Sequence, residues 1–173
     1  AIEELYGWTP VMYKQYVVSS AVAREKLREY LSFHAPFNKT AATQAAAVYA
    51  QVKSGEESFE NLAKKYSEHA YALNGGDLGN IRRGEQDEAI ELAAFSLETG
   101  SISDILHTKY GYHILQVLEK EEVEGQEQVH VRQIFIAGPS VDTVITDELK
   151  RYRVGVWVPG WCWNAATGRV EAS

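Results

Sequence analysis

The sequence predicts an α+β fold, and three observations carry that prediction. Apolar residues recur at helical spacing through much of the first hundred residues. Two later runs, "GYHILQVLE" and "VHVRQIFIAG", alternate with the period of a strand. Between them in character lies "NGGDLGNIRRG", a glycine-rich stretch that turns the chain from helix into strand. With 173 residues, 45% hydrophobic and 24% charged, the chain has an ordinary globular balance and can bury a core. That suits one domain, or one domain with an appended helical segment.

Thr9-Pro10 reads as an N-cap followed by proline at the first helical position, opening a helix over Pro10 to Leu31. The loop containing Pro36 ends it. A second helix, alanine-rich, runs from Thr40 to Lys53 and closes at Ser54-Gly55. Ser58 caps a third, which places Phe59, Leu62, Ala63 and Tyr66 on one face. After the glycine segment, "DEAIELAAFSL" forms a helix with Ile90, Ala93, Ala94 and Leu97 as its buried stripe. "TGSISDI" turns into a short strand over Ile105 to Thr108. The alternating runs around 112–119 and 129–137 are strands joined by the charged link "EKEEVEGQEQ". A glycine among charges between two such runs suggests a long antiparallel hairpin, with the link itself a solvated loop. Residues 141–152 suit a short helix and "RVGVWVP" a further strand. The tail "GWCWNAATGRVEAS" is aromatic and then polar, with Trp157, Trp161 and Trp163 suited to a packed edge or an exposed patch.

Several function classes fall away. A net charge of -7 and a pI near 5.3 argue against nucleic acid, whose binding depends on cationic neutralisation of phosphates. The pair Arg82-Arg83 reads as solvated surface. "NGGDLG" lacks the Lys-Ser/Thr that completes a P-loop, so nucleotide is not expected. No apolar run reaches the roughly 20 residues of a membrane helix. The start at Ala1 reads as that of a mature or cut-down segment, with an upstream anchor left open. Cys162 is alone and permits no internal disulfide. His34, His107 and His130 match no metal template, and neither a metal nor a cofactor is expected.

Four segments in order, "SFENLAKKYSE", "NGGDLGNIRRG", "AAFSLETGSIS" and "TKYGYHILQVLE", make the sequence similar to a parvulin-type (PpiC, rotamase) peptidyl-prolyl isomerase domain from about Ala45 to Lys120. The N-terminal helix resembles the segment preceding this domain in bacterial foldases and secretion chaperones. The resemblance implies a four-stranded antiparallel or mixed sheet surrounded by helices. One feature departs from it. The family opens with a strand carrying an Arg/Ser-His-Ile-Leu-type signature, whereas here "FHAPFNKTAATQ" stands in that place and "VRQIFI" follows the last strand. Two readings fit: a circularly permuted domain whose first strand comes from the C-terminal side, or a second, truncated domain opening at Val129. On the first reading, 1–38 is an N-terminal helical segment, 39–140 the parvulin-like domain with its signature strand at 129–137, and 141–173 an extension.

The resemblance also implies site residues. His113 matches the family's C-terminal-strand histidine, Thr108 the hydroxyl bonded into its network, and Leu78 one wall of the proline pocket. Gln133 stands where the other histidine belongs and His69 at the Asp/Cys position. Gln86 replaces the pocket methionine, Ile90 replaces its phenylalanine, and Tyr110 lies close enough to line the groove. The segment "AGPSVDT" carries no cation, so no preference for phosphorylated Ser/Thr-Pro is expected. Two functions follow from the resemblance: an isomerase assisting protein folding, or a weakly active or inactive chaperone module that holds unfolded, proline-containing polypeptide. The family context implies the extracytoplasmic side of a bacterial membrane.

Overall fold

A computed structural model describes residues 9–34, 38–149, 159–164, 166–167 and 169–172. The chain divides into two compact units, Glu29–Gly138, and Pro139–Ser173 with Ala1–Arg28. Residues 153–158 of the strand expected in "RVGVWVP", with Trp157, lie outside the described residues, and Pro159 stands in a turn.

The unit Glu29–Gly138 is built around a four-stranded antiparallel sheet of β1 (Asp77–Ile81), β2 (Leu106–Thr108), β3 (Gly111–Val123) and β4 (Gln126–Ala137), in the order β1-β4-β3-β2. The last strand in sequence therefore lies in the interior of the sheet. Interior strands bury both faces, and β3 and β4 do so along most of their apolar length. One face, through Ile114, Ile134 and Ile136, packs against two helices. The first, Lys39–Ser54, buries Ala41, Ala45, Val48 and Val52 at helical spacing and ends on Gly55 in the left-handed region. The second, Phe59–Tyr66, is capped by Ser58, whose Oγ accepts from the Asn61 N–H at 3.2 Å, and buries Phe59, Leu62 and Ala63.

The other face carries Leu115 and Val117 on β3 and Val129 and Val131 on β4. A helix over Glu88–Ser96 covers these four with Ile90, Ala94 and Phe95. Of the stripe expected there, Ile90 and Ala94 are buried, Ala93 and Leu97 half-buried, and Phe95 joins them. Beyond the short edge strands, turns complete the ladder. Ser101 O and Ser103 Oγ accept from the Val117 and Leu115 N–H groups, and Ser67 Oγ accepts from the Phe135 N–H.

Two expectations need correction. The charged link is strand, not loop: β3 and β4 stay paired out to Val123↔Gln126, leaving only Glu124 and Gly125 to turn. Both adopt positive φ, 53° and 76°, the twist that a two-residue hairpin requires. The charges do not prevent pairing, because the backbone ladder needs no buried side chain at the end of a hairpin. The N-terminal helix, expected as one α-helix to Leu31, passes from Pro10–Tyr13 through a π-helical turn, Lys14–Val18, into Ser19–Phe33. Ser19 Oγ donates to Lys14 O at 2.9 Å, and that back-bond accompanies the widened turn.

In the other unit, Thr9 caps the helix start. A helix spans Val141–Leu149, and strands Trp161–Asn164 and Arg169–Ala172 form a small hairpin. Arg24 and Asp142 meet at 2.6 Å, both exposed, so the pair adds little stability. No helix among the described residues is long and apolar enough to cross a membrane.

Candidate functional site

The site arises where the Glu88–Ser96 helix stops covering its face of the sheet. Along β4 the residues on that face run Val129, Val131, Gln133, Phe135; along β3 they run Val117, Leu115, His113. The first members pack in the core, and the last ones, Gln133, Phe135 and His113, line an open cavity of about 530 Å³. Strand alternation thus carries the same face from core to site without a break.

The remaining walls come from several turns. Asp77↔Arg132 and Gly79↔Val131 leave Leu78 as the extra residue of a bulge, and bulges re-aim side chains. Leu78 lines the cavity as a result. Gln86, Asp87 and Ile90 enter from the start of the Glu88–Ser96 helix, where Asp87 caps by accepting from the Ala89 N–H at 3.2 Å. Glu68 N–H donates to Phe135 O at 2.8 Å and fixes the segment that carries His69 and Tyr71 to the cavity edge. Thr108 and Tyr110 complete the lining.

At its base, His113 is 5% exposed and Thr108 3% exposed, so their contact is shielded from water. His113 Nε2 and Thr108 Oγ1 lie 2.9 Å apart, and the Tyr110 N–H donates to the same hydroxyl at 3.2 Å. A hydroxyl that accepts from Tyr110 best satisfies its own proton by giving it to Nε2, which assigns the ring proton to Nδ1. Nδ1 is buried without a well-formed hydrogen bond among the described residues. Burial pushes the His113 pKa down to about 4; the neighbouring Gln133 amide and the Asp87 carboxylate only partly oppose this, while His69 and His107 add to it. The ring is therefore neutral at pH 7. Phe135 packs beside it, centroids 4.8 Å apart, and meets His69 edge-on at 6.3 Å.

All eight residues singled out in the sequence, His113, Gln133, His69, Thr108, Leu78, Gln86, Ile90 and Tyr110, line this one cavity. Sequence reasoning missed Tyr71, Asp87 and Phe135. Phe135 was within reach, since period-two alternation puts it on the face of Gln133. Asp87 carried an N-cap signal. Tyr71 carried none. No cluster of three or more His, Cys, Asp or Glu side chains suited to a metal occurs among the described residues. His107 instead stacks on Tyr112, with centroids 4.3 Å apart, and His130 pairs with Asp77 at 2.8 Å.

Comparison with known proteins agrees with this architecture. A family profile described as Rotamase: PPIC-type PPIASE domain matches residues 33–119. Chaperone SurA of Burkholderia lata is 36% identical over 120 residues, covering 68% of this chain and 26% of the relative. Foldase protein PrsA of Bacillus subtilis is 47% identical over 77 residues, 44% of this chain and 26% of that protein. Foldase protein PrsA of Geobacillus kaustophilus is 37% identical over 108 residues, 58% of this chain and 38% of its own length. The chain thus spans between about a quarter and two-fifths of the length of these relatives. The matched segment supplies β1, β2, most of β3 and the helices on both faces of the sheet, and on that ground the chain belongs to the rotamase family of PPIC-type peptidyl-prolyl isomerase domains.

Proposed function

We propose that the chain is a peptidyl-prolyl cis-trans isomerase that assists protein folding and takes the proline of an X-Pro segment into the 530 Å³ cavity. The observation that carries this reading is the convergence of apolar Leu78, Ile90 and Phe135 with the shielded His113–Thr108 pair on one open site. Rotation about an X-Pro bond faces a barrier of roughly 20 kcal/mol and breaks no covalent bond. Catalysis requires only that the twisted amide be bound better than either planar form. A neutral, preoriented His113 and the Gln133 amide supply polar groups that need no ionisation, and the apolar lining holds the pyrrolidine ring. His69, Thr108, Tyr110 and Gln86 surround them, and no cofactor takes part.

Among the described residues no lysine or arginine lines the cavity, which supports a preference for unphosphorylated segments. Two relatives named chaperone and foldase support a role in folding. The same resemblance supports an extracytoplasmic location, in the bacterial periplasm or at the cell surface. The place of β4 between β1 and β3 supports the reading of a permuted domain, with its signature strand supplied from the C-terminal side.

A second reading, a chaperone module that holds unfolded polypeptide without turnover, is favoured by Gln133 and Gln86 at positions where the resemblance implies histidine and methionine. The deciding experiment is an NMR-exchange isomerase assay on X-Pro peptides with His113→Ala beside the wild type. Catalysis lost in the variant supports the enzyme. Turnover at the uncatalysed rate, with unfolded protein still bound, supports the holding module.

A further inference from the structure

Replacing an aromatic wall by Ile90 leaves the cavity with aliphatic Leu78 and Ile90 and polar Gln86 on the side where the resemblance implies a phenylalanine. The structure offers another ring. Phe135 reaches the cavity from β4, two residues beyond Gln133, where alternation returns the chain to the same face. Its backbone is held on both sides, the N–H donating to Ser67 Oγ at 3.1 Å and the carbonyl accepting from the Glu68 N–H at 2.8 Å. The ring is braced by His113 at 4.8 Å and His69 at 6.3 Å. Phe135 is nonetheless only half-buried, so part of its surface faces the cavity. Tyr71 and Tyr110, the other aromatic lining residues, are 48% and 47% exposed.

Building on the proline-site reading above, we propose that Phe135 is the specificity-determining residue that recognises proline, its ring packing on the pyrrolidine beside His113. The C–H groups next to the amide nitrogen carry partial positive charge and favour the electron-rich face of an aromatic ring. A rigid, preplaced ring gives that contact at little entropic cost.

The test uses the 173-residue chain and two peptides, acetyl-Ala-Ala-Pro-Ala-amide and its Ala-for-Pro analogue, followed by NMR. The expected result is proline-peptide binding with upfield-shifted pyrrolidine protons that show nuclear Overhauser contacts to the Phe135 ring. Phe135→Leu lowers the preference for the proline peptide by about fivefold, with the amide spectrum of the sheet preserved, whereas Phe135→Tyr keeps it within about twofold. Preference unchanged in a folded Phe135→Leu overturns this inference and leaves the proline site standing. So do pyrrolidine contacts to Tyr71 or Tyr110 in place of Phe135, a readout that needs no variant. A wild-type chain that binds both peptides equally overturns the proline-site reading and this inference with it.

Discussion

The Gln133 N–H donates to Gly76 O at 2.8 Å, and a Cβ on Gly76 would stand 2.2 Å from Gln133 O. Gly76 also holds a φ of 77°. Only glycine gives both the conformation and the close approach. Gly76→Ala is expected to destabilise the fold by about 2 kcal/mol or more, read from the urea midpoint, and to shift the Gln133 amide resonances.

Thr108 serves both Tyr110 and His113 through one oxygen. Thr108→Val keeps the shape but leaves the Tyr110 N–H and His113 Nε2 without that partner in a shielded site. Stability should fall by about 1–3 kcal/mol with an unchanged denaturant slope, and the proposed isomerase rate should fall with it.

His113 makes the fold sensitive to acid in a defined window. In the unfolded chain the imidazole takes up its proton near the ordinary value of 6.5, whereas in the fold it resists protonation down to about 4. Between those values the unfolded state binds more protons, so stability present above pH 6.5 is lost as pH falls toward 4. The loss from this group approaches roughly 3 kcal/mol, at about 1.4 kcal/mol per pH unit. Urea unfolding at pH 7.5 and 4.5 should show a larger drop for the wild type than for His113→Gln, since the carboxylates contribute to both.

The helix Phe59–Tyr66 is short, and Ser58 caps it. Ser58→Ala should cost about 1 kcal/mol, and amide exchange should quicken first in that helix.

Much of the local structure was legible. Thr9 and Ser58 mark the helix starts that the structure shows, and both alternating runs are strands. The glycine-rich stretch turns the chain from helix into strand as expected, with Gly75, Gly76 and Gly79 at positive φ. Other features were illegible for physical reasons. Charged residues gave no sign that the β3–β4 pairing continues to Val123, since ladder bonds are made by backbone groups common to every sequence. The π-helical turn depends on a competition between helix hydrogen bonds too close for composition to reveal. Tyr71 reaches the cavity only because Glu68 binds the edge of β4, a contact between segments 67 residues apart in sequence.

By itself, the sequence determined what is local: where helices start, which stretches extend, and that Gln133 and Phe135 share one side of their strand. Periodicity and capping act over a few residues and can be read there. Only the tertiary structure decided that β1 meets β4 through a bulge at Leu78, that His113 is sheltered enough to stay uncharged, and that Phe135 stands against it. Those outcomes depend on which faces the helices cover and which they leave open, a matter of packing between segments far apart in the chain.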